Sequence, residues 1–371
     1  MAASGTFGDD AAAPPARGAR PLVIAYFALF AALILFGIAV VLFGDPRAGD
    51  PVVHLRLAQT PAKVAAVLAH PLAAPPPLPP PANAPPGETP VPPSIVPQTV
   101  TQPVYAGRTL VADPALIETT DNGPLPKIAA DGTPPMRAYA APSFDNGKPR
   151  IAIVISGLGM SAKQTAVALA SLPPAVTLAF APYASDVQRW VAEARRQGHE
   201  VLLEVPMEPF DFPDSDPGSH TLRSGAGEDS NTERLVWALT RFTGYTGVTN
   251  LLGGRFLSDP DSLEPVMTYL SRRGLLFFDN GAASHSSAPD VAARAGLPFA
   301  QATTTIDKIQ TAMEIDRELS ALEDSARAHG SASGAGFLYP VTVERVAQWA
   351  QGLSGRGFVL VPASAIVLPK K

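Results

Sequence analysis

Three carboxylates placed at the ends of apolar runs, Glu204, Glu208 and Asp279, carry the widest chemical options in this sequence. Carboxylate oxygens bind hard cations, and a carboxylate near a water or hydroxyl is a general base. Two readings follow. In one, Glu204 is the base of a hydrolytic or cation site with Asp279 or Glu208 as partner; in the other, which we expect, Glu204 pairs with Arg255 in a closed polar network. Aromatic residues stand at similar positions: Tyr183, Phe210, Phe212 and Tyr339 offer rings that stack on sugars or pack as an apolar lid. With Asn250, Arg255 and Asn280, Tyr183 and Tyr339 form the candidate ligand-binding set. The acidic loop "EPFDFPDSDPG" lacks the spacing of an EF-hand and reads as a solvated surface.

Other chemistries are excluded by residue type. The chain has no cysteine, so it has no disulfide framework, thiolate metal site or cysteine nucleophile. Of its six histidines, His54 and His70 lie in a proline-rich stretch. His199 precedes its strand and His329 ends a helix, while His220 and His285 read as loop residues. Gly157, Gly159 and Ala162 spell a dinucleotide fingerprint. A second strand ending in an acid should accompany it, but that strand ends in Ala181, Pro182 and Tyr183. The nearest acid, Asp186, reads as a helix cap, and the glycines as a tight strand-to-helix turn.

The elements that must position these residues begin at Arg150. Apolar runs start at Ile151, Val176, Glu200, Gly247, Leu275, Leu297, Gly334 and Phe358. Between them, helical patterns span 162–172, 186–197, 231–241, 261–273, 313–328 and 343–353. Gly198, Gly274, Gly330 and Gly357 separate helix from strand, where a left-handed cap is expected. Strand alternating with helix implies parallel strands and right-handed crossovers, here enough units for a β/α barrel. Ligands then bind at the carboxyl ends of the strands.

At those strand ends the chain resembles the divergent polysaccharide deacetylases, relatives of the NodB-type carbohydrate esterases. The resemblance runs through "IAIVISGLG", "VTLAFAPYA", "GHEVLLEVPMEPFDFPDSDPG", "TGYTGVTNLLGGRF", "RGLLFFDNGAA" and "YPVTVERVAQW". It implies a NodB-like distorted barrel of seven or eight β/α units over 150–371, a role in carbohydrate or cell-envelope metabolism, and a divalent metal such as zinc. Family members end the first strand in paired aspartates, where this chain has Ser156 and Gly157. Their histidines correspond here to Glu204, Leu251 and Phe337. Metal-dependent deacetylation needs ligands, a base and an acid, so the expectation is a pseudoenzyme without metal or cofactor. It would bind a glycan, peptidoglycan or an envelope protein. The alternatives are a hydrolase with a rebuilt carboxylate site and a docking scaffold.

Residues 1–21 read as a short cytoplasmic tail. From Leu22 to Phe43 the chain carries no charge and is long enough to span a bilayer as one uncleaved helix. We expect it to anchor the protein in the inner membrane, with the following domain periplasmic. Residues 44–149 hold a large share of the 41 prolines and read as an extended linker. The net charge of −5, with no basic run interleaved with aromatics, argues against nucleic acid as a partner.

Overall fold

The structure, a computed structural model, describes residues 112–143 and 146–367. A hairpin of β1 (Ile117–Thr120) and β2 (Gly123–Pro126) is followed by a short helix, α1 (Pro135–Ala138). The main body then alternates strand and helix: β3 (Arg150–Leu158), α2 (Ala162–Ser171), β4 (Thr177–Phe180), α3 (Val187–Arg196), β5 (Val201–Met207), α4 (Glu228–Leu239) and β6 (Gly247–Leu252). It continues with α5 (Pro260–Arg272), β7 (Leu276–Asp279), α6 (Ala288–Ala295), β8 (Phe299–Gln301), β9 (Thr304–Thr305), α7 (Ala312–His329) and β10 (Ser331–Phe337). The last elements are α8 (Pro340–Leu353), β11 (Val359–Val361) and α9 (Ala363–Val367).

The strands from β3 onward form one parallel sheet in the order β8-β7-β6-β5-β4-β3-β10-β9. β11 pairs with the first residues of β3, Arg150 to Ala152, while β4 pairs further along, from Val154. The two outer strands, β8 and β9, are consecutive in sequence, so the sheet curls until its edges face each other. The seam is tied by Ser333 Oγ donating to Gln301 O at 2.8 Å and Thr303 N donating to Ser333 O at 2.7 Å. This curled parallel sheet with helices outside it is the expected α/β, NodB-like architecture.

Alternation along each strand sorts the core into two layers. Ile151, Ile153 and Ile155 of β3, with Leu203 and Val205 of β5, face the helices. Val154, Ala179, Leu202, Phe278 and Ala335 fill the interior. Both faces are covered, which is why the strands read as nearly unbroken apolar runs. Helix starts are capped by Ser161, Asp259 and Thr311, whose side chains accept backbone N–H groups of α2, α5 and α7. Gly330 closes α7 in the left-handed conformation at φ 81°.

Three expectations need correction. Part of the stretch read as linker, 112–143, is folded. Leu116, Leu125, Met136 and Tyr139 are buried, and Met136 joins Ala363 of α9 inside the sheet. Arg195 Nη1 donates to Tyr139 O at 3.2 Å, and Ala141 N donates to the buried Glu200 at 3.2 Å. Apolar residues widely spaced among prolines hide such a strap, because each buries alone against a surface made elsewhere. Asp186 adopts a left-handed conformation, φ 52°, and its side chain makes no cap bond. Helix α6, with Pro289 in its first turn, is an element that the expected helical patterns do not include. Among the described residues no helix is long and apolar enough to cross a membrane; the span Leu22 to Phe43 lies outside them.

Candidate functional site

A cleft of about 680 Å³ opens at the carboxyl end of the sheet. Ser156 and Gly157 of β3, Glu204 of β5, Asn250 and Leu251 of β6, and Phe337 of β10 contribute to its wall, with Tyr183, Asn280 and Tyr339 from the following loops. The β3–β4 ladder is irregular between Ile155 and Leu158, and Gly157 sits there at φ 88°. The irregularity re-aims the backbone: Gly157 N donates to Glu204 Oε1. Across from it, the Phe337 ring occupies the side-chain space of Gly157, since a Cβ there would lie 2.5 Å from Cζ of Phe337. Phe337 is held in turn by its backbone N–H, which donates to Asp307 Oδ2 at 2.6 Å; Thr342 Oγ1 donates to the same oxygen at 2.9 Å.

Glu204 is 1% exposed. Burial pushes its carboxyl up to about 8, the Gly157 N–H opposing, so it is protonated at neutral pH. Its Oε2 has no partner within the protein, nor has Oγ1 of Thr249, which sits directly across the β5–β6 ladder. Arg255 does not pair with Glu204. It meets Glu208 at 3.5 Å, and Ser224 N donates to Glu208 Oε2 at 2.7 Å. The Glu208 carbonyl also accepts from Arg255 N and Phe256 N, so this residue clasps the loop after β5 to the loop after β6.

Asp279 is spoken for. Gly281 N, Ser286 Oγ and Gln301 Nε2 all donate to it, and burial raises its carboxyl above the ordinary range against those bonds. Neither Asp279 nor Glu208 lines the cleft, so the three carboxylates are not brought together. Asn250 and Asn280 grip each other: Asn250 Nδ2 donates to Asn280 Oδ1 at 2.7 Å, and Asn280 N donates to Asn250 Oδ1 at 2.9 Å. Tyr183 leans on Trp237, ring centroids 5.0 Å apart, and its hydroxyl accepts from His220 N at 3.1 Å. His220 stacks on the same Trp237 at 3.6 Å. Phe210 is exposed outside the cleft wall, and Arg223 lies over the Phe212 ring.

Met160, Asp216, Lys308 and Gln310 also line the cleft and were not singled out from the sequence. Asp307, at the end of β9, is buried, which raises its carboxyl above the ordinary range. Asp307 is among the strand-end positions the sequence marks out, whereas β9, two residues long, is too short to leave a periodic signal that would place Lys308 and Gln310.

The fold and this site define a β/α-barrel protein with an open cleft at the carboxyl ends of its strands. Residues 153–367 match the model of the divergent polysaccharide deacetylases, and the chain belongs to that family. An uncharacterized protein of Agrobacterium tumefaciens, solved as a crystal structure, is 41% identical; it is covered completely by 66% of this chain with a TM-score of 0.65. An uncharacterized protein of Haemophilus influenzae is 27% identical over 201 residues, 54% of this chain and 71% of its own length. The uncharacterized protein YibQ of Escherichia coli is 27% identical over 219 residues, 59% of this chain and 67% of its own.

The family resemblance implies a divalent metal at the strand ends. The side chains present there are a serine hydroxyl, a glycine, a single glutamate, a leucine and a phenylalanine. Among the described residues no three His, Asp or Glu side chains are grouped so as to hold a metal ion. This donor set does not fit the metal, because zinc and its relatives need several nitrogen or charged oxygen ligands.

Proposed function

We propose that this domain binds a glycan of the cell envelope in the cleft at the carboxyl end of the sheet, and that it does so without metal-dependent deacetylation. One observation carries the reading: Gly157, Glu204 and Phe337, which stand where the family's acid and histidines would be, interlock with one another. Phenylalanine fills the space that an aspartate at 157 would need, and the glutamate is tied to the glycine backbone. The substitutions therefore form one packed arrangement that leaves an open cleft in the size range of small-ligand sites. Phe337, Tyr183 and Tyr339 supply apolar faces for the C–H face of a sugar ring, and Asp216, Lys308 and Gln310 supply polar groups at the rim. The anchor Leu22 to Phe43 and the proline-rich segment after it would hold this domain at the inner membrane, facing the periplasm.

The test uses the full chain purified in detergent, assayed for bound metal, for acetate release from acetylated chito-oligosaccharides, and for saturable binding of the same sugars. Binding without acetate release, weakened by Phe337→Ala, is the expected result. Acetate release abolished by a chelator overturns the reading. A second reading, docking of an envelope protein, is favoured by the exposed apolar residues at the cleft rim, Met160 at 62% and Phe337 at 36%. Loss of a cross-linked envelope protein on Met160→Glu, with sugar binding absent in the parent, would establish it instead.

A further inference from the structure

This inference rests on the glycan-binding reading and asks what the cleft selects. Glu204 lies in the cleft wall with one oxygen committed to Gly157 N and the other without a partner. The neighbours on the strands around it carry no charge: Ser156 and Gly157 on β3, Ala179 on β4, Thr249 and Leu251 on β6, Ala335 and Phe337 on β10. The charged residues lining the cleft are Asp216, Asp307 and Lys308, all in loops beyond the strands. With no counter-charge in contact, the buried carboxyl keeps its proton, and a protonated carboxyl offers one O–H donor beside its acceptor oxygens. A sugar hydroxyl or an amide, which itself donates and accepts, complements that pair.

We infer that the unpartnered carboxyl oxygen of Glu204 is the contact that selects the ligand, taking an uncharged hydroxyl or amide group of a sugar and excluding sugars that carry a carboxylate. A ligand carboxylate would be desolvated against an apolar wall, where the single cation Lys308 is outnumbered by Asp216 and Asp307.

The experiment is calorimetric titration of the full chain with acetylated chitotetraose and with tetragalacturonate, from pH 6 to pH 9.5, repeated on Glu204→Gln and Glu204→Leu. Chitotetraose is expected to bind about tenfold or more tighter than tetragalacturonate at pH 6, the scale of one buried polar group left unpaired. Its affinity should fall by about tenfold as the carboxyl ionises. Glu204→Gln should bind more weakly than the parent with a flat pH profile, and Glu204→Leu should lose binding by about a further tenfold. Circular dichroism melts confirm that each variant is folded. Equal affinity for the two sugars, or an unaltered pH profile in Glu204→Gln, overturns this inference and leaves glycan binding standing. Failure of both sugars to bind the parent at every pH removes the glycan reading and this inference with it.

Discussion

Replacing Glu204 by glutamine should make the fold less sensitive to pH. The carboxyl ordinarily titrates at 4.5 and is raised by burial to about 8 in the folded protein. Between those values the folded state holds a proton that the unfolded state has released. Stability then falls as pH rises, because the unfolded state binds fewer protons than the native one. Below 4.5 both states are protonated and the contribution is complete; above about 8 it is gone. Each pH unit inside the window is worth about 1.4 kcal/mol, so the upper bound across it is about 5 kcal/mol. Glutamine keeps an oxygen to accept from Gly157 N and has no proton to lose. Urea unfolding of parent and variant at half-unit steps from pH 5 to pH 9 should give stabilities that diverge steadily up to pH 8 and run parallel beyond it. Asp279 and Asp307, also raised by burial, contribute equally to both proteins and cancel in the difference. Parallel curves throughout, or divergence complete below pH 6, would show that Glu204 is ionised in the native protein and refute the reasoning.

Gly157→Asp should destabilise the domain by about 2–4 kcal/mol, since it adds a side chain against the Phe337 ring at a positive φ. Adding Phe337→Ala should recover part of the loss, and a double-mutant cycle from denaturant unfolding measures the coupling; strict additivity would mean the two side chains do not compete for one space. Arg195→Met should loosen the strap of residues 112–143, read as faster amide exchange at Tyr139 and Ala141. Unchanged exchange there would show that the strap is held by its apolar residues alone.

The sequence made the barrel legible because its strands are covered on both faces and its helices end at glycines. Ile151 to Ile155 could hardly be anything but a buried strand, and Gly198, Gly274, Gly330 and Gly357 all take the positive φ expected of them. The candidate site was less legible, for reasons that differ by residue. The partner of Arg255 was misassigned because Glu204 and Glu208 lie four residues apart along the same stretch, and only the turn after β5 decides which of them reaches it. Asn250 lies on β6 and Asn280 directly after β7, and their mutual grip is a product of the β6–β7 pairing. Asp279 is consumed by Ser286 and Gln301, which no spacing rule connects to it. The strap leaves little trace in the sequence because Leu125 and Met136 acquire their burial from surfaces made by residues far along the chain.

That strap also fixes where the polypeptide joins its barrel. Asp113 N donates to Tyr139 Oη, and Tyr139 lies beside Arg195 at the end of α3 and near Gly244 just ahead of β6, which places the point of entry at the amino end of the sheet. A pull on the chain ahead of Asp113 would load Tyr139, Arg195 and Glu200 first, on the side of the molecule remote from Phe337 and its neighbours. The point of entry and the open cleft thereby lie at opposite ends of the sheet, so a load applied at the first would reach the second only through the whole length of the strands.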